Sequence, residues 1–328
     1  MVEPQISVVL PVFNGARFLR LAIESVLQQS FSEFELIIWD DASIDTSREI
    51  IDSYPDPRIR IFTSEVNKGL FKTLNLAIDK AEGKWIRLWS QDDIMKENCL
   101  ASEAEFLGRY PDVGMGICSY DCIDEAGNIT LKPEPVHPLP IVSRETVDQI
   151  LFYKGCLPGT ISTVILKASA LKEVGNFAEH MRVAGDFEMW ARLADKYAFS
   201  YNKERLVSVR FHRSQLSGQP GSYVLCMREV KAVYEELLGR LPAEISNYAK
   251  WFDCLTRGAT YTHHFFRCLL ACDFANARGA LREIRQLDHH LLAGLYWLFS
   301  ANQNLFKLKP RYRVESGDFT SDHNRVVV

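Results

Sequence analysis

Five carboxylates stand out in this sequence: Asp40 and Asp41, which end FELIIWDD; Asp92 and Asp93, which end KWIRLWSQDD; and Asp186 in AGDFEMW. Like charges held together raise one another's pKa unless a cation or hydrogen-bond donors offset them, and hard oxygen ligands favour Mg²⁺ or Mn²⁺. If the two preceding strands run parallel, both Asp pairs reach one sheet edge, where a divalent ion with a phosphate-bearing ligand would balance them. Each residue also has a plainer explanation. Asp92 or Ser90 would cap a helix beginning at Ile94, Asp45 would serve a turn or helix start, and Asp186 would be a first-turn carboxylate favoured by the helix dipole. Convergence of the two pairs is what favours chemistry over capping.

The elements that would position them alternate regularly. ISVVLPVF has the texture of a buried strand, and Phe18, Leu21, Ala22, Ser25 and Val26 follow at helical spacing. Then come the strand FELIIWDD, a helix near Ser47 to Ser53 with a Thr46/Glu49 capping box, the strand RIRIFTS and a helix from Leu70 to about Ala81. The strand KWIRLWS and a helix closed by Pro111 complete this half. Strands separated by single helices imply an open, mostly parallel, doubly wound sheet with its ligands at the carboxyl ends of the strands. From Val113 the texture changes to a strand (VGMGICSYDCID), a turn at Glu125 to Asn128, and the proline-rich loop KPEPVHPLP, which would border a cleft. A strand (TISTVIL), a helix and the helical stretch VAGDFEMWARLADKYAF follow, and the core ends near SVRFHRSQLSGQPG. The expected division is a catalytic α/β domain over 1–222, with halves 1–110 and 111–222, and a helical appendage over 223–328 ending in the loose tail VESGDFTSDHNRVVV.

Composition narrows the function class. The 328 residues carry 38 Lys and Arg against 42 Asp and Glu, a net charge of -4, with no basic stripe interleaved with aromatics, which argues against a nucleic acid partner. The start lacks a signal peptide's basic and apolar regions, and the longest apolar run, LLAGLYWLF from Leu291, is about half a membrane span, so a cytoplasmic protein is expected. Eight cysteines fit reduced, packed thiols: Cys118/Cys122 and Cys268/Cys272 lack zinc-knuckle spacing, and His263/His264 and His289/His290 put adjacent rings on different helix faces. The apolar run at Leu291 with Lys307, Lys309, Arg311 and Arg313 after it suggests peripheral contact with a membrane or a partner, against the plainer expectation of packing on the core. Oligomeric state is left open.

Three stretches, ISVVLPVFNGARFLRLAIESVLQQSFSEFELIIWDDASID, NKGLFKTLNLAIDKAEGKWIRLWSQDD and GDFEMWARL, stand in an order that resembles the inverting, nucleotide-sugar-dependent glycosyltransferases of family 2, which have the GT-A fold. The likeness covers about the first 215 residues and leaves the C-terminal helices uncovered. It implies that Pro11 and Phe13 line a base pocket, that Asp41 accepts a hydrogen bond from the base, and that Asp92 approaches the ribose. It further implies that Asp93 holds Mn²⁺ or Mg²⁺ on the diphosphate and that Asp186 is the general base. His212 stands where some relatives place a histidine near the phosphates. Ser90, Phe13 and Gly185 depart from commoner residues, and Leu74 replaces an arginine, so a nucleotide contact is missing or comes from Lys72.

The implied reaction accounts for these groups. Displacing a nucleoside diphosphate from an anomeric carbon builds charge on the leaving phosphate, which a cation stabilises, while a carboxylate on the opposite face takes the proton of the attacking hydroxyl. The expectation is transfer from a nucleotide sugar, UDP-linked, to a glycan or glycolipid hydroxyl with inversion, as in polysaccharide biosynthesis. Two alternatives stay open: a non-catalytic sugar-nucleotide-binding subunit, and a sugar nucleotidyltransferase, which the lack of a glycine-rich basic triphosphate loop after the first strand disfavours.

Overall fold

The computed structural model describes residues 3–134, 139–157, 159–212, 215, 221–287, 294, 296 and 297. By contact they form two units, one of residues 1–147 and 156–212, the other of residues 148–155 and 213–328.

The first unit is built on a sheet. Strands β1 (Ile6–Val12) and β2 (Phe34–Asp40) are buried at every position, as a strand covered on both faces must be. Helix α1 (Ala16–Leu27) joins them and buries Phe18, Leu19, Ala22, Ile23 and Val26. Helix α2 (Ser47–Asp52), β3 (Ile59–Thr63), α3 (Leu70–Ile78) and β4 (Trp85–Leu88) follow, and β1 to β4 are mutually parallel, with Val12 opposite Asp40 and Val9 opposite Leu88. Next come β5 (Ile94–Met95), α4 (Cys99–Arg109), β6 (Met115–Ile123), β7 (Ile129–Leu131), β8 (Ile141–Val142) and α5 (Arg144–Lys154), whose residues from Asp148 on belong to the second unit. A short 3₁₀ turn (Ile161–Thr163), β9 (Val164–Lys167), α6 (Ala168–Val174), α7 (Gly185–Lys196) and β10 (Phe199–Arg210) complete the series.

The strand order is β3-β2-β1-β4-β9-β6-β10-β5, with β7 on β6 and β8 on β10. Because β9 is antiparallel to both β4 and β6, and β6 is parallel to β10, the strands β1, β2, β3, β4, β6 and β10 all point the same way. Their carboxyl ends share one edge, so Phe13, Asp41, Asp92, Asp124 and His212 all follow strands that end there.

Three local expectations are corrected. The residues after Asp93 form β5, antiparallel to β10, and the helix starts only at Cys99, so neither Asp92 nor Ser90 caps a helix at Ile94. Thr46 makes no side-chain cap; Asp45 takes the Ser47 N–H instead, so the Thr46/Glu49 capping box does not form. The stretch TISTVIL splits into the 3₁₀ turn and β9.

The second unit contains α8 (Ser222–Arg240), α9 (Ala243–Leu270) and α10 (Phe274–Ile284), which pack through Val224, Met227, Tyr261, Ala280 and Ile284. A Cβ on Gly279 would stand 2.8 Å from Val224, so α10 approaches α8 where a side chain is absent. Among the described residues no helix is long and apolar enough to cross a membrane. Pro135 to Pro138 of the proline-rich loop, His289 and His290, the basic residues Lys307 to Arg313 and the tail lie outside the described residues, as does Leu291–Phe299 apart from Gly294, Tyr296 and Trp297.

Candidate active site

The edge begins with the loop after β1. Asn14 and Ala42 have φ of 50° and 61°, a left-handed conformation that needs support. Side chains supply it across the two loops: Asn14 N donates to Ser43 Oγ at 3.0 Å, Ile44 N to Asn14 Oδ1 at 2.9 Å, Gly15 N to Ser47 Oγ at 2.9 Å and Ala16 N to Asp45 Oδ2 at 3.0 Å. From the other side Gln91 Oε1 accepts the Phe13 N–H at 3.0 Å and its Nε2 donates to Phe13 O at 3.2 Å. A Cβ on Gly15 would stand 2.3 Å from that Oε1, so glycine is what lets the amide reach. Phe13 is left 44% exposed beside the edge, while Pro11 is buried within β1.

Asp41 is buried and its oxygens accept Lys68 N at 2.9 and 3.0 Å and Gly69 N at 2.9 Å. It therefore anchors the turn that starts α3. Three residues into that helix, Lys72 pairs with Glu179 at 3.0 Å, both about half exposed. Leu74 is fully buried.

Asp92 and Asp93 play different parts. Asp93 is 3% exposed, and its Oδ1 accepts the Arg210 backbone N–H at 2.8 Å. Burial pushes its carboxyl up to about 7, Asp92 adds to the rise, and Ser162 and the Arg210 amide work against it. Asp92 instead turns its Oδ2 toward His212 Nε2 at 3.6 Å. Burial also raises the Asp92 pKa, opposed by His212 and then Arg210. A carboxylate oxygen suits Mn²⁺ or Mg²⁺, and an imidazole nitrogen beside it favours a transition metal such as Mn²⁺ over Mg²⁺. Among the described residues no group of three His, Cys, Asp or Glu side chains could hold an ion alone, so the donor's phosphates would supply further oxygens.

Asp186 lies in the first turn of α7, where its Oδ1 accepts the Phe187 N–H at 2.8 Å. Its neighbour Gly185 meets Phe71 of α3: a Cβ there would stand 2.7 Å from the ring. Asn75 clamps the preceding loop, donating to Phe177 O and accepting from Phe177 N, both at 2.9 Å, and Arg192 reaches the carbonyls of Val174, Gly175 and Asn176. The turn held by Asp41 and the loop that carries Asp186 thus meet on one helix, α3.

Arg210, Gln91 and Asn75 were not anticipated from the sequence. For Arg210 the signal was a basic residue closing the apolar strand LVSVR, which a solvated strand end explains equally well. Gln91 and Asn75 carry no local signal.

The profile of the family described as "Glycosyl transferase family 2" matches residues 7–172, half of the chain and all of the strands that bear the two Asp pairs. An uncharacterized glycosyltransferase of Rickettsia conorii is 28% identical over 83% of this chain and 44% of its own length, so the chain spans less than half of that relative. The putative glycosyltransferase EpsE of Bacillus subtilis is 29% identical over 63% of this chain and 73% of its own. Among solved structures, S. aureus TarS 1–349 in complex with UDP-GlcNAc superposes with a TM-score of 0.59 at 20% identity, covering 72% of this chain and 70% of that one. The complex with UDP gives 0.57 at 18%, covering 75% and 69%; at such identities the likeness shows the fold, a GT-A type α/β sheet with a helical C-terminal region. With the family profile spanning the strands whose ends gather these carboxylates, the chain belongs to glycosyl transferase family 2.

Proposed function

We propose that the protein is an inverting glycosyltransferase that moves a sugar from a UDP-linked donor to a hydroxyl of a glycan or glycolipid during polysaccharide assembly. The observation that carries this is the edge itself: in a family 2 chain, Phe13, Asp41, Asp92 and His212 all follow strands whose carboxyl ends share one sheet edge. Phe13 offers an exposed ring for the base, and the loop held by Gln91 keeps it there. Asp41 orders the 68–69 turn beside it, and Pro11 lies in the strand beneath. Bound with the diphosphate, a divalent cation would supply Lewis-acid stabilisation of the leaving group. Asp92 with His212 is the pair placed to hold it. Asp93, buried beside them with Oδ1 engaged by the Arg210 amide, adds the carboxylate that the family resemblance assigns to the cation. Asp186 takes the proton of the attacking hydroxyl, which gives direct displacement with inversion. The crystal structures of TarS with UDP and UDP-GlcNAc support a uridine donor. A cytoplasmic location is part of this reading, with peripheral contact to the inner membrane face through the basic C-terminal stretch.

The test is calorimetric binding of UDP, GDP, dTDP and CDP with Mn²⁺ or with EDTA. UDP should bind, and Mn²⁺ should tighten it in the wild type but not in Asp92→Ala. Absence of UDP binding in both buffers would sink the proposal, and NMR showing retained anomeric configuration in the product would sink the inverting mechanism.

A further inference from the structure

Arg210 is 1% exposed, and burying a guanidinium is expensive unless its donors are satisfied. Its Nε donates to Asp92 O at 2.9 Å, and its Nη1 donates to Asp124 O at 2.8 Å and Glu125 O at 3.2 Å. The guanidinium lies 4.5 Å from the centre of the Phe18 ring, and the Arg210 backbone N–H closes on Asp93 Oδ1. One residue thus touches the turn after β4, the turn after β6 and a side chain of α1, and two positions later the same strand end delivers His212. The His212 ring rests on the same Phe18 at 5.2 Å. The second turn is itself braced: Asp124 accepts the Ala126 and Asn128 amides, and Glu125 pairs with Arg17 at 2.6 Å.

We infer that Arg210, seated on Phe18, is a positioning residue that sets the Asp92 carboxylate against the His212 imidazole and so builds the cation and diphosphate end of the donor site. The inference rests on the function proposed above. A planar fork with fixed donor directions can hold two turns in register with each other, which a flexible ammonium cannot. Arg210 makes its hold on Asp92 through the main-chain oxygen, which leaves the Asp92 carboxylate turned to His212. Phe18 gives both Arg210 and His212 one ring to pack on, so the guanidinium that holds Asp92 and the imidazole that faces it share a common support.

The experiment compares the full chain with Arg210→Gln and Arg210→Lys. Hydrogen exchange by mass spectrometry reads the turns 91–95 and 124–128 without any nucleotide, and calorimetry reads UDP affinity with Mn²⁺ and with EDTA. In Arg210→Gln both turns should exchange faster, and the gain in affinity from Mn²⁺ should fall by about tenfold or more while affinity in EDTA changes by less than about threefold. A general folding defect would weaken both affinities together. Arg210→Lys, which keeps the charge and loses the fork, should resemble Arg210→Gln. Full retention of the Mn²⁺ gain in either variant, or unchanged exchange in both turns, overturns the inference. Should the wild type fail to bind UDP in either buffer, the proposed function falls and the role falls with it. A wild type that binds while the variants lose nothing overturns the role alone.

Discussion

At the residue scale the question is what each carboxylate can do where it stands. Asp186, in the first turn of α7, is less buried than Asp41 and Asp93, and its own backbone contact is to the adjacent Phe187 N–H, whereas Asp41 and Asp93 hold amides distant in sequence. Asp186→Asn keeps the size and the bond to Phe187 N–H while removing the proton acceptor, so sugar transfer should fall by about 10² to 10⁴ with UDP affinity unchanged. Turnover close to wild type in a coupled UDP-release assay would remove Asp186 from the base role. Asp253 on α9 tests burial in the other unit. Burial lifts its carboxyl to about 6, with Arg257 working against the rise. Its folded pKa exceeds the unfolded value, so its contribution to stability is complete below about pH 4 and is lost as pH rises through about 6. Asp253→Asn should therefore gain on wild type in unfolding free energy between pH 4 and pH 7, by no more than about 3 kcal/mol. A gap that stays constant across that range would contradict the burial account.

At the scale of elements, α3 and α7 meet where Gly185 faces Phe71. Phe71 is buried and stacked on Phe177 at 5.6 Å, so it cannot swing away. Gly185→Ala should lower the thermal midpoint by about 1–3 kcal/mol of stability and impair transfer, and adding Phe71→Leu should recover part of both. Purely additive losses in the double variant would mean that the contact is not what requires glycine. The same region shows what was legible in the chain. Strands β1, β2 and β4 announced themselves through unbroken apolar runs, and the Asp pairs at their ends followed from parallel pairing. The two-residue strand β5 did not, because its partner on β10 lies more than a hundred residues away and the helical spacing from Cys99 onward suggested an earlier start. Arg210 was hidden for the same reason: the oxygens that explain it belong to residues 92, 124 and 125. Local pattern reveals elements, while the clamps that aim them come from pairings distant in sequence.

At the scale of the whole molecule, contacts group the chain into two units, and the second draws on two stretches of the sequence. An appendage beginning near residue 223 was expected, and the second unit also takes in residues 148–155 from the middle of the sequence. Within that unit Asp148 pairs with Arg240 at 3.0 Å, Phe152 meets Tyr234 edge-on at 5.9 Å and Tyr153 meets Phe252 at 5.0 Å. Phe152 and Tyr153 are buried there, and Asp148 is 7% exposed. A chain ended after His212 would keep these three side chains and lose Arg240, Tyr234 and Phe252. Exposing an aromatic residue costs about 1.5–3 kcal/mol, and removing one partner of a buried ion pair costs about 3–5 kcal/mol, a large share of the roughly 5–15 kcal/mol that holds a domain together. The shortened chain should therefore be poorly soluble or melt well below the full protein, although it contains every residue assigned to the donor site. Adding Phe152→Ser and Tyr153→Ser should improve its solubility by removing the uncovered apolar surface. A shortened chain as soluble and as heat-stable as the full one would show that the 148–155 segment does not depend on the C-terminal helices.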